Sequence, residues 1–278
     1  MGDLDMRRLD ELPLVFFDLE TTGLDLAAGH RICEVAALRV YQQGEAGRLD
    51  TLVNPDRLLD PGAAAVNGLR DDLLHAAPPF ATIAPALIGI FSEAVLVAHN
   101  LPFDLAFLHA ELRALGRQLP LVPTLDTLAL ARRLLRLRSY SLAALAAEFD
   151  LPAPTHRAMD DVQALYGVFR HLQQHMADLG VTTLGAAQRL ERGFLPGMAE
   201  PVVPPLIEQA ISEGLLLRIR YRSRNDPHPT ERAIRPLYVT NEHSGVHLRA
   251  FCTLRNDLRS FVLTKIELLE LVAAPEVM

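Results

Sequence analysis

Three strand-like stretches stand at the start of the chain, before any clear helix. They are Leu14–Leu19, Ile32–Val40 and Leu49–Val53, and each has the apolar content of a partly buried strand. A further apolar stretch at residues 93–100 then alternates with helical segments. This order is typical of an α/β fold built on a mixed sheet with flanking helices. The predicted helices are Ala63–Ala76, Ile83–Ser92, Leu101–Gly116, Leu125–Leu135, Leu142–Glu148 and Arg157–His175.

The pattern changes after the Pro-rich stretch PGMAEPVVPP at Pro196–Pro205. A helix at Leu206–Glu213 leads into short alternating runs separated by polar turns, which indicate a small β-barrel or sandwich. We therefore predict an α/β unit over residues 10–178, a helix and Pro-rich linker over 179–205, and a β-rich unit over 206–273.

Composition narrows the classes of protein to consider. The net charge of −7 argues against wholesale electrostatic wrapping of nucleic acid, although a local basic site is compatible with it. Cys33 and Cys252 are far apart and lack the spacing of metal ligands, which predicts free thiols in a reducing compartment. No apolar run approaches the ~20 residues of a membrane span. The charged N-terminus has no apolar signal core, so we expect a cytoplasmic protein with no membrane partner.

Four carboxylates are predicted to point into the first unit. Asp18 and Glu20 alternate along the first strand, so both project from one face. Asp104 falls within about 60° of the centre of the apolar stripe on its helix. In the last long helix, Asp161 lies about 60° from the stripe centre and Asp160 lies nearly opposite. The helical phase therefore selects Asp161 as inward-facing and Asp160 as solvent-facing.

An inward cluster of carboxylates needs compensation. A buried carboxylate without a partner costs several kcal/mol or becomes neutral through a pKa shift. Hard divalent cations, usually Mg²⁺ or Mn²⁺, bind such oxygen clusters. Two ions ~3.5–4 Å apart can clamp the attacking and leaving oxygens of a phosphodiester. Each acid taken alone also fits the end of a strand or the first turn of a helix; the joint pattern favours the metal site.

Three segments resemble the exonuclease motifs of the DEDD superfamily, the group of proofreading exonucleases and RNase T with a ribonuclease H-like fold. They are FDLETTG, VAHNLPFDLAFL and HRAMDDVQAL, in this order. Asp18 and Glu20 match the first motif, Asp104 the second and Asp161 the third, and His156 matches the histidine subtype. The resemblance implies 3′→5′ removal of nucleotides from a DNA or RNA end, with two metal ions held by the four acids.

His156 is a candidate general base in this scheme. A neutral imidazole suits the acceptance of a proton from the water that attacks phosphorus, whereas a solvated loop histidine is the alternative. Thr21, Thr22 and Leu24 follow the first acids, and their turn is a candidate source of backbone donors to the terminal nucleotide, with Leu24 under its base. Asn100 is a candidate for binding the sugar or for orienting a neighbouring residue. These four residues also fit ordinary turn and cap chemistry.

An arginine comb marks the second part of the chain. Alternation in LRIRYRSR places its arginines on one strand face, opposite Leu217, Ile219, Tyr221 and Ser223. Like charges in a row need water or an anion, so the comb is either a solvated face or a phosphate-binding surface. The comb consists of Arg218, Arg220, Arg222 and Arg224.

Residues 206–272 resemble a WYL domain, a small β-barrel module of the SH3/Sm-like kind that is common in bacterial regulators. The resemblance runs through LRIRYRS, RAIRPLYV, VHLRAFCTLRNDLRSF and TKI, and the name-giving triplet Val246-His247-Leu248 keeps only its leucine. It implies binding of nucleic acid or a nucleotide-like ligand. The groove residues that it implies are Tyr221, Arg232, His247, Arg255 and Arg259.

Together these patterns predict a metal-dependent exonuclease that acts on single-stranded or frayed 3′ ends of DNA, with a C-terminal module that binds nucleic acid or a regulatory ligand. An RNA 3′→5′ exonuclease and a non-catalytic regulator are the alternatives. A DNA polymerase or other repair proteins are candidate partners, and the sequence leaves open whether the chain proofreads with a polymerase or acts alone in repair or turnover. The sequence leaves open DNA against RNA and Mg²⁺ against Mn²⁺.

Overall fold

The computed structural model describes residues 2–223, 228–255 and 257–272. Arg224 of the comb lies outside these residues. The chain divides into two compact units, Met1–Glu191 and Arg192–Met278. Within the described ranges, no helix is both long enough and apolar enough to cross a membrane.

The N-terminal unit is built on a five-stranded mixed sheet. Its strands are β1 (Leu14–Thr21), β2 (Ile32–Tyr41), β3 (Gly44–Leu52), β4 (Val95–Ala98) and β5 (Thr124–Asp126), in the order β3-β2-β1-β4-β5. β1 pairs antiparallel with β2, and β2 antiparallel with β3, whereas β1–β4 and β4–β5 are parallel. The predicted mixed sheet is confirmed.

Helices cover both faces of this sheet. Phe16 faces the eighth helix, and its ring centroid lies 5.3 Å from that of Phe169. Phe17 points to the other face and lies 5.1 Å from Phe91. Because Asp18 and Glu20 alternate in step with Phe16, they share the face covered by the eighth helix. The helices are α1 (Gly2–Asp5), α2 (Pro61–Asn67), α3 (Asp71–His75), α4 (Phe80–Phe91), α5 (Leu101–Ala114), α6 (Thr127–Leu134), α7 (Leu142–Glu148), α8 (Ala158–Asp178) and α9 (Leu184–Glu191).

Several boundaries differ from the sequence-based expectation. The helix predicted over residues 63–76 is divided into α2 and α3, because Gly68 adopts a left-handed conformation with φ +67° and ends α2. The helix predicted from Leu125 begins with β5 instead, and the Asp126 side chain caps α6 by accepting from the Leu128 N–H at 2.9 Å. α9 lies within the residues predicted as helix and Pro-rich linker, and its Leu184 and Leu190 are fully buried in the core on the α8 side.

The C-terminal unit pairs one helix with an antiparallel sheet. Ile207 and Ala210 of the helix pack against Leu217, Ile219 and Leu248 of the sheet. The strand order is β10-β6-β7-β8-β9. The elements are α10 (Pro205–Glu213), β6 (Leu216–Tyr221), β7 (Thr230–Glu242), β8 (Gly245–Cys252), β9 (Asp257–Val262) and β10 (Ile266–Val272).

The predicted closed barrel is not confirmed in this unit. A barrel requires its two edge strands to pair, and across the described residues β9 and β10 remain the free edges of an open sheet. A short 3-10 turn at Leu263–Lys265 separates β9 from β10.

Candidate active site

The first two acids lie near the C-terminal end of β1, on the α8 face. Asp18 and Glu20 are half-buried there. The antiparallel register places Glu20 directly opposite Glu34 of β2. Glu34 is only 2% exposed, so three carboxylates lie on one patch of the sheet.

Asp104 approaches the same patch from the first turn of α5. It is 4% exposed, and the nearby backbone of Leu19 favours the ionised form of its carboxyl. The α5 helix begins after Asn100, whose φ of +67° turns the chain and whose N–H donates to Asp126 Oδ1 at 2.9 Å. Burial raises the pKa of Asp104 well above its ordinary value, and the charge of Asp18 adds to the effect. The inward orientation predicted for Asp104 is confirmed.

Asp161 enters from the first turn of α8. Its Oδ1 accepts the N–H groups of Thr155 at 2.9 Å and His156 at 3.1 Å. Asp161 is 7% exposed, whereas Asp160 is exposed and accepts the Thr155 hydroxyl at 2.6 Å. These positions confirm the helical-phase argument. Burial raises the pKa of Asp161, although the two backbone donors oppose the increase.

Burial and mutual repulsion disfavour the ionised forms of the acids at this site. Burial raises the pKa of Asp18 to about 7, and the charges of Asp161 and Glu34 contribute. Burial likewise raises the pKa of Glu20 to about 8, with contributions from Asp18, Asp161 and Glu34. Carboxylates that retain protons near neutral pH favour an added cation, and oxygen donors of this kind fit a hard divalent ion.

Three side chains stand close enough to hold one ion together. Ligand atoms of Glu20, His156 and Asp161 all lie within 4.8 Å of one another. Asp18 and Asp104 lie outside this set but interact electrostatically with each other, and Asp18 also interacts with Asp161. The fold thus brings all five predicted residues to one site.

His156 is exposed and lies two residues before α8, next to the N-cap residue Arg157. Its backbone adopts a left-handed conformation with φ +60°, which is uncommon for a residue with a Cβ atom. A ring nitrogen of His156 lies within 4.8 Å of a carboxylate oxygen of Glu20 and of one of Asp161.

The four residues predicted to contact the terminal nucleotide differ in how exposed they are to solvent. Thr22 is fully buried, and its hydroxyl interacts with His30 Nδ1 at 3.1 Å while accepting the Arg31 N–H at 3.1 Å. The hydroxyl of Thr21 donates to the Gly23 carbonyl at 2.9 Å. Both hydroxyls are therefore engaged within the fold. Leu24 is 84% exposed and Asn100 is also exposed, so both remain accessible at the surface.

The arginine comb of the C-terminal unit is neutralised by carboxylates. Alternation places its described members on one exposed face, and each pairs with a glutamate of a neighbouring strand. The solvated face, one of the two alternatives, fits these contacts. The pairs are Arg218–Glu270 at 2.9 Å, Arg220–Glu231 at 2.7 Å and Arg222–Glu267 at 2.7 Å.

The groove residues implied by the WYL resemblance are divided between the two sheet faces. Tyr221 lies on the core face, where its ring centroid is 5.0 Å from Phe261. Arg259 is opposite Ala250 and Arg232 opposite Ile219, so both also project from the core face. His247 precedes the buried Leu248 and therefore projects from the other face. Its ring interacts with Ser244 at 2.7 Å and with Ser260 at 2.8 Å. Arg255 is exposed in the turn after β8.

The exonuclease family model matches residues 15–169, which is more than half of the chain. The chain belongs to this exonuclease family. The WYL domain model matches residues 203–271, so both predicted resemblances are confirmed.

Curated relatives of this exonuclease include bacterial DNA polymerase III proteins. The DNA polymerase III subunit epsilon of Rickettsia conorii is 34% identical over 172 residues, which cover 59% of this chain and 75% of that protein. The DNA polymerase III PolC-type of Thermotoga maritima is 32% identical, over 64% of this chain and 13% of that protein. The DNA polymerase III subunit epsilon-like protein of Rhodobacter capsulatus is 36% identical, over 64% of this chain and 26% of that protein. The chain spans only a part of the last two relatives.

Solved structures share the fold of the exonuclease unit. The nuclease domain of 3′hExo, described as a DEDDh family member bound to rAMP, has a TM-score of 0.52 at 13% identity and covers 60% of this chain and 94% of that chain. A 3′-exonuclease described in the specific recognition of the histone mRNA stem-loop has a TM-score of 0.51 at 15% identity and covers 60% of this chain and 65% of that chain. The ribonuclease H-like α/β fold is thereby confirmed.

Two residues of the exonuclease site were missed by sequence reasoning. Glu34 stands in the apolar run ICEVAAL, and a lone charge within a buried strand is a signal that could have identified it. Asn67 is 3% exposed and lies beside Glu20. Among the buried side-chain nitrogen and oxygen atoms of the described residues, only its Nδ2 lacks a hydrogen-bond partner. Asn67 ends α2 just before Gly68, which resembles ordinary C-cap chemistry in the sequence.

Proposed function

We propose that the N-terminal unit is a 3′→5′ exonuclease that hydrolyses phosphodiester bonds at single-stranded or frayed 3′ ends of DNA. The observation that carries this proposal is the convergence of four acids and a histidine from β1, α5 and α8 on one site. The residues are Asp18, Glu20, Asp104, His156 and Asp161.

Divalent metal would be held by the four acids, and two Mg²⁺ or Mn²⁺ ions are proposed. When bound, such ions neutralise the carboxylates and supply Lewis-acid chemistry at the phosphate. The donors fit this role, because the pKa values of Asp18 and Glu20 are raised by burial and mutual repulsion rather than lowered by a protein cation. Chelation is expected to abolish nuclease activity.

His156 is proposed to accept the proton of the attacking water, which places the chain in the histidine subtype. A positioned general base of this kind contributes about 10²- to 10⁴-fold to the rate. The ring is exposed, so the proton can pass onward to solvent. His156→Ala should lower kcat with little change in KM. Unchanged kcat with a raised KM would assign the ring to substrate binding instead.

The preference for DNA is proposed on the similarity to DNA polymerase III subunits. A DNA polymerase or a repair protein is the corresponding proposed partner. We further propose that Leu24 and Asn100, the exposed candidates, contact the terminal nucleotide. RNA is the alternative substrate, and a regulator without nuclease activity is the other alternative.

One assay separates these possibilities. End-labelled single-stranded DNA, duplex DNA with a mispaired 3′ end and single-stranded RNA are compared with Mg²⁺ and with Mn²⁺. Asp104→Asn and Asp161→Asn should abolish cleavage, whereas the exposed neighbour Asp160→Asn should retain it. Faster cleavage of RNA would favour the RNA exonuclease. A wild-type protein that cleaves none of these substrates would favour the non-catalytic regulator.

The C-terminal unit is proposed to bind a nucleic-acid strand or a nucleotide-like ligand. On the sheet face opposite α10, Arg235 stands across from Phe251, and Tyr238 across from Arg249. In the described part of the chain, neither Arg235 nor Arg249 forms an ion pair, unlike the comb. Phe251 is 37% exposed. Unpaired arginines beside aromatic rings suit phosphate contact and base stacking.

The two arginine sets can be compared directly in full-length protein kept inactive with EDTA. Binding of labelled single-stranded DNA is followed by anisotropy as salt is varied. The double variant Arg235→Ala/Arg249→Ala should flatten the slope of log affinity against log salt by up to about 1.4, since each phosphate contact on a single strand contributes about 0.7. The comb control, Arg220→Ala/Arg222→Ala, removes the same charge and should leave the slope unchanged. Equal effects would contradict a specific role for the unpaired arginines.

A further inference from the structure

An ion pair between a buried carboxylate and a half-exposed arginine joins β2 to the start of α8, beside His156. Arg157 Nη2 donates to Glu34 Oε1 at 2.7 Å, and its Nε lies 3.2 Å from the same oxygen and 3.3 Å from Oε2. The Ala158 N–H also donates to Oε2, at 3.2 Å. The carboxylate is 2% exposed, while the arginine is half-exposed. Glu34 therefore fixes both the side chain and the backbone of the segment that follows His156.

The backbone at and just before His156 is also held by hydrogen bonds. Asp161 Oδ1 accepts the N–H groups of Thr155 and His156. Between these two attachments His156 keeps its left-handed φ of +60°. This conformation is uncommon for a residue with a Cβ atom. The carboxylates of Asp161 and Glu34 bind the backbone at His156 and at Ala158 and so anchor the chain around it.

The pairing also keeps Glu34 separate from the other acids. Glu34 lies directly opposite Glu20, so without a partner it would be a fifth free carboxylate in the cluster. Its oxygens instead receive three N–H donors, two from Arg157 and one from Ala158. Because Arg157 and Ala158 already bind both carboxylate oxygens of Glu34, this residue is not a metal ligand.

We propose that Glu34 and Arg157 form a latch that positions His156 for proton transfer, a role that rests on the proposed nuclease function. The latch sets where the imidazole stands relative to Glu20 and Asp161 before metal or substrate binds. Neither latch residue takes part in the chemistry. Both are positioning residues that act through His156.

The same unit supplies a matched control. Glu111 is 4% exposed and pairs with half-exposed Arg31, with Nη2 to Oε2 at 2.7 Å. This pair resembles the latch in burial and in its two-point geometry, but its contacts do not involve the His156 segment. Breaking it should lower the melting temperature as much as breaking the latch does.

The test measures kcat, KM and Tm for variants of both pairs in full-length protein. Arg157→Ala should lower kcat by about 10- to 100-fold, because small misplacements of a catalytic group cost rates of this order, while KM changes by less than about twofold. Glu34→Gln, a milder change, should show a smaller decrease of the same kind. Arg31→Ala and Glu111→Gln should retain the wild-type kcat. A raised KM with unchanged kcat would overturn the proposal, since Arg157 would then contact the substrate.

A double-mutant cycle tests whether the latch acts through His156. In a His156→Ala background, Arg157→Ala should cause no further loss of kcat, because the group that it positions is already absent. An equal further loss would refute the latch. If the nuclease proposal itself fails, metal-free NMR still reports on the positioning. The His156 ring resonance should shift and broaden in Arg157→Ala and stay unchanged in Arg31→Ala, and an unmoved resonance would also refute the latch.

Discussion

The Glu20 carboxyl should make the metal-free protein less stable as pH rises. Its pKa is about 8 in the folded chain against an ordinary value of 4.5. Between these values the folded state keeps a proton that the unfolded state has released. The folded state therefore binds more protons, and the free energy of unfolding decreases as pH rises through this window. The perturbation that tests this is Glu20→Gln, which removes the titrating group and nearly preserves its shape.

The structure sets the size of this effect. The interval from 4.5 to about 8 corresponds to a ceiling of about 5 kcal/mol. Glu20 is only half-buried, so solvent screening reduces the expected effect to about 2 kcal/mol. In a unit of this size, that difference changes Tm by about 4–8 °C.

Thermal melts followed by circular dichroism in EDTA provide the measurement. At pH 8.5, Glu20→Gln should melt higher than the wild type by about 4–8 °C, and at about pH 3.5, below the pKa of Glu20 in both states, the two should coincide. Asp160→Asn, which alters an exposed acid, should keep the wild-type pH dependence. Mg²⁺ at pH 8.5 should raise the wild-type Tm by binding only the folded state. If the melting temperatures of wild type and Glu20→Gln changed in parallel with pH, Glu20 would not have the raised pKa on which this prediction rests.

Further predictions concern packing and exposure. Gly23→Ala should lower stability by about 1–3 kcal/mol in chemical denaturation, because an added Cβ would clash with the His30 ring; an unchanged midpoint would show that the ring can move aside. Phe169→Ala should cost about 3–5 kcal/mol, since its side chain is fully buried in the core. Leu24→Ala, at an exposed position, should change stability by less than about 0.5 kcal/mol and should raise KM for the exonuclease substrate if Leu24 supports the terminal base. Cys33 should resist thiol labelling until the protein unfolds, because it is fully buried and its pKa is raised by that burial.

Local sequence pattern determined much of the exonuclease unit. The period of 3.6 residues identified α5 and α8 and placed Asp104 and Asp161 inward and Asp160 outward. The period of two residues placed Asp18 and Glu20 on one face of β1. These inferences succeeded because a side chain's direction within a helix or strand depends on its nearest neighbours along the chain.

Tertiary structure decided which residues meet across the sheets. Glu34 and Arg157 are 123 positions apart, and no local spacing indicates that they pair or that Glu34 faces Glu20. The arginine comb shows the same limit: alternation placed its described members on one face, but their glutamate partners come from β7 and β10 through strand register. The open C-terminal sheet likewise depends on which edges pair. Strand register and edge pairing depend on contacts between residues that are far apart in sequence. These contacts decide which charges are neutralised and which remain available for ligands.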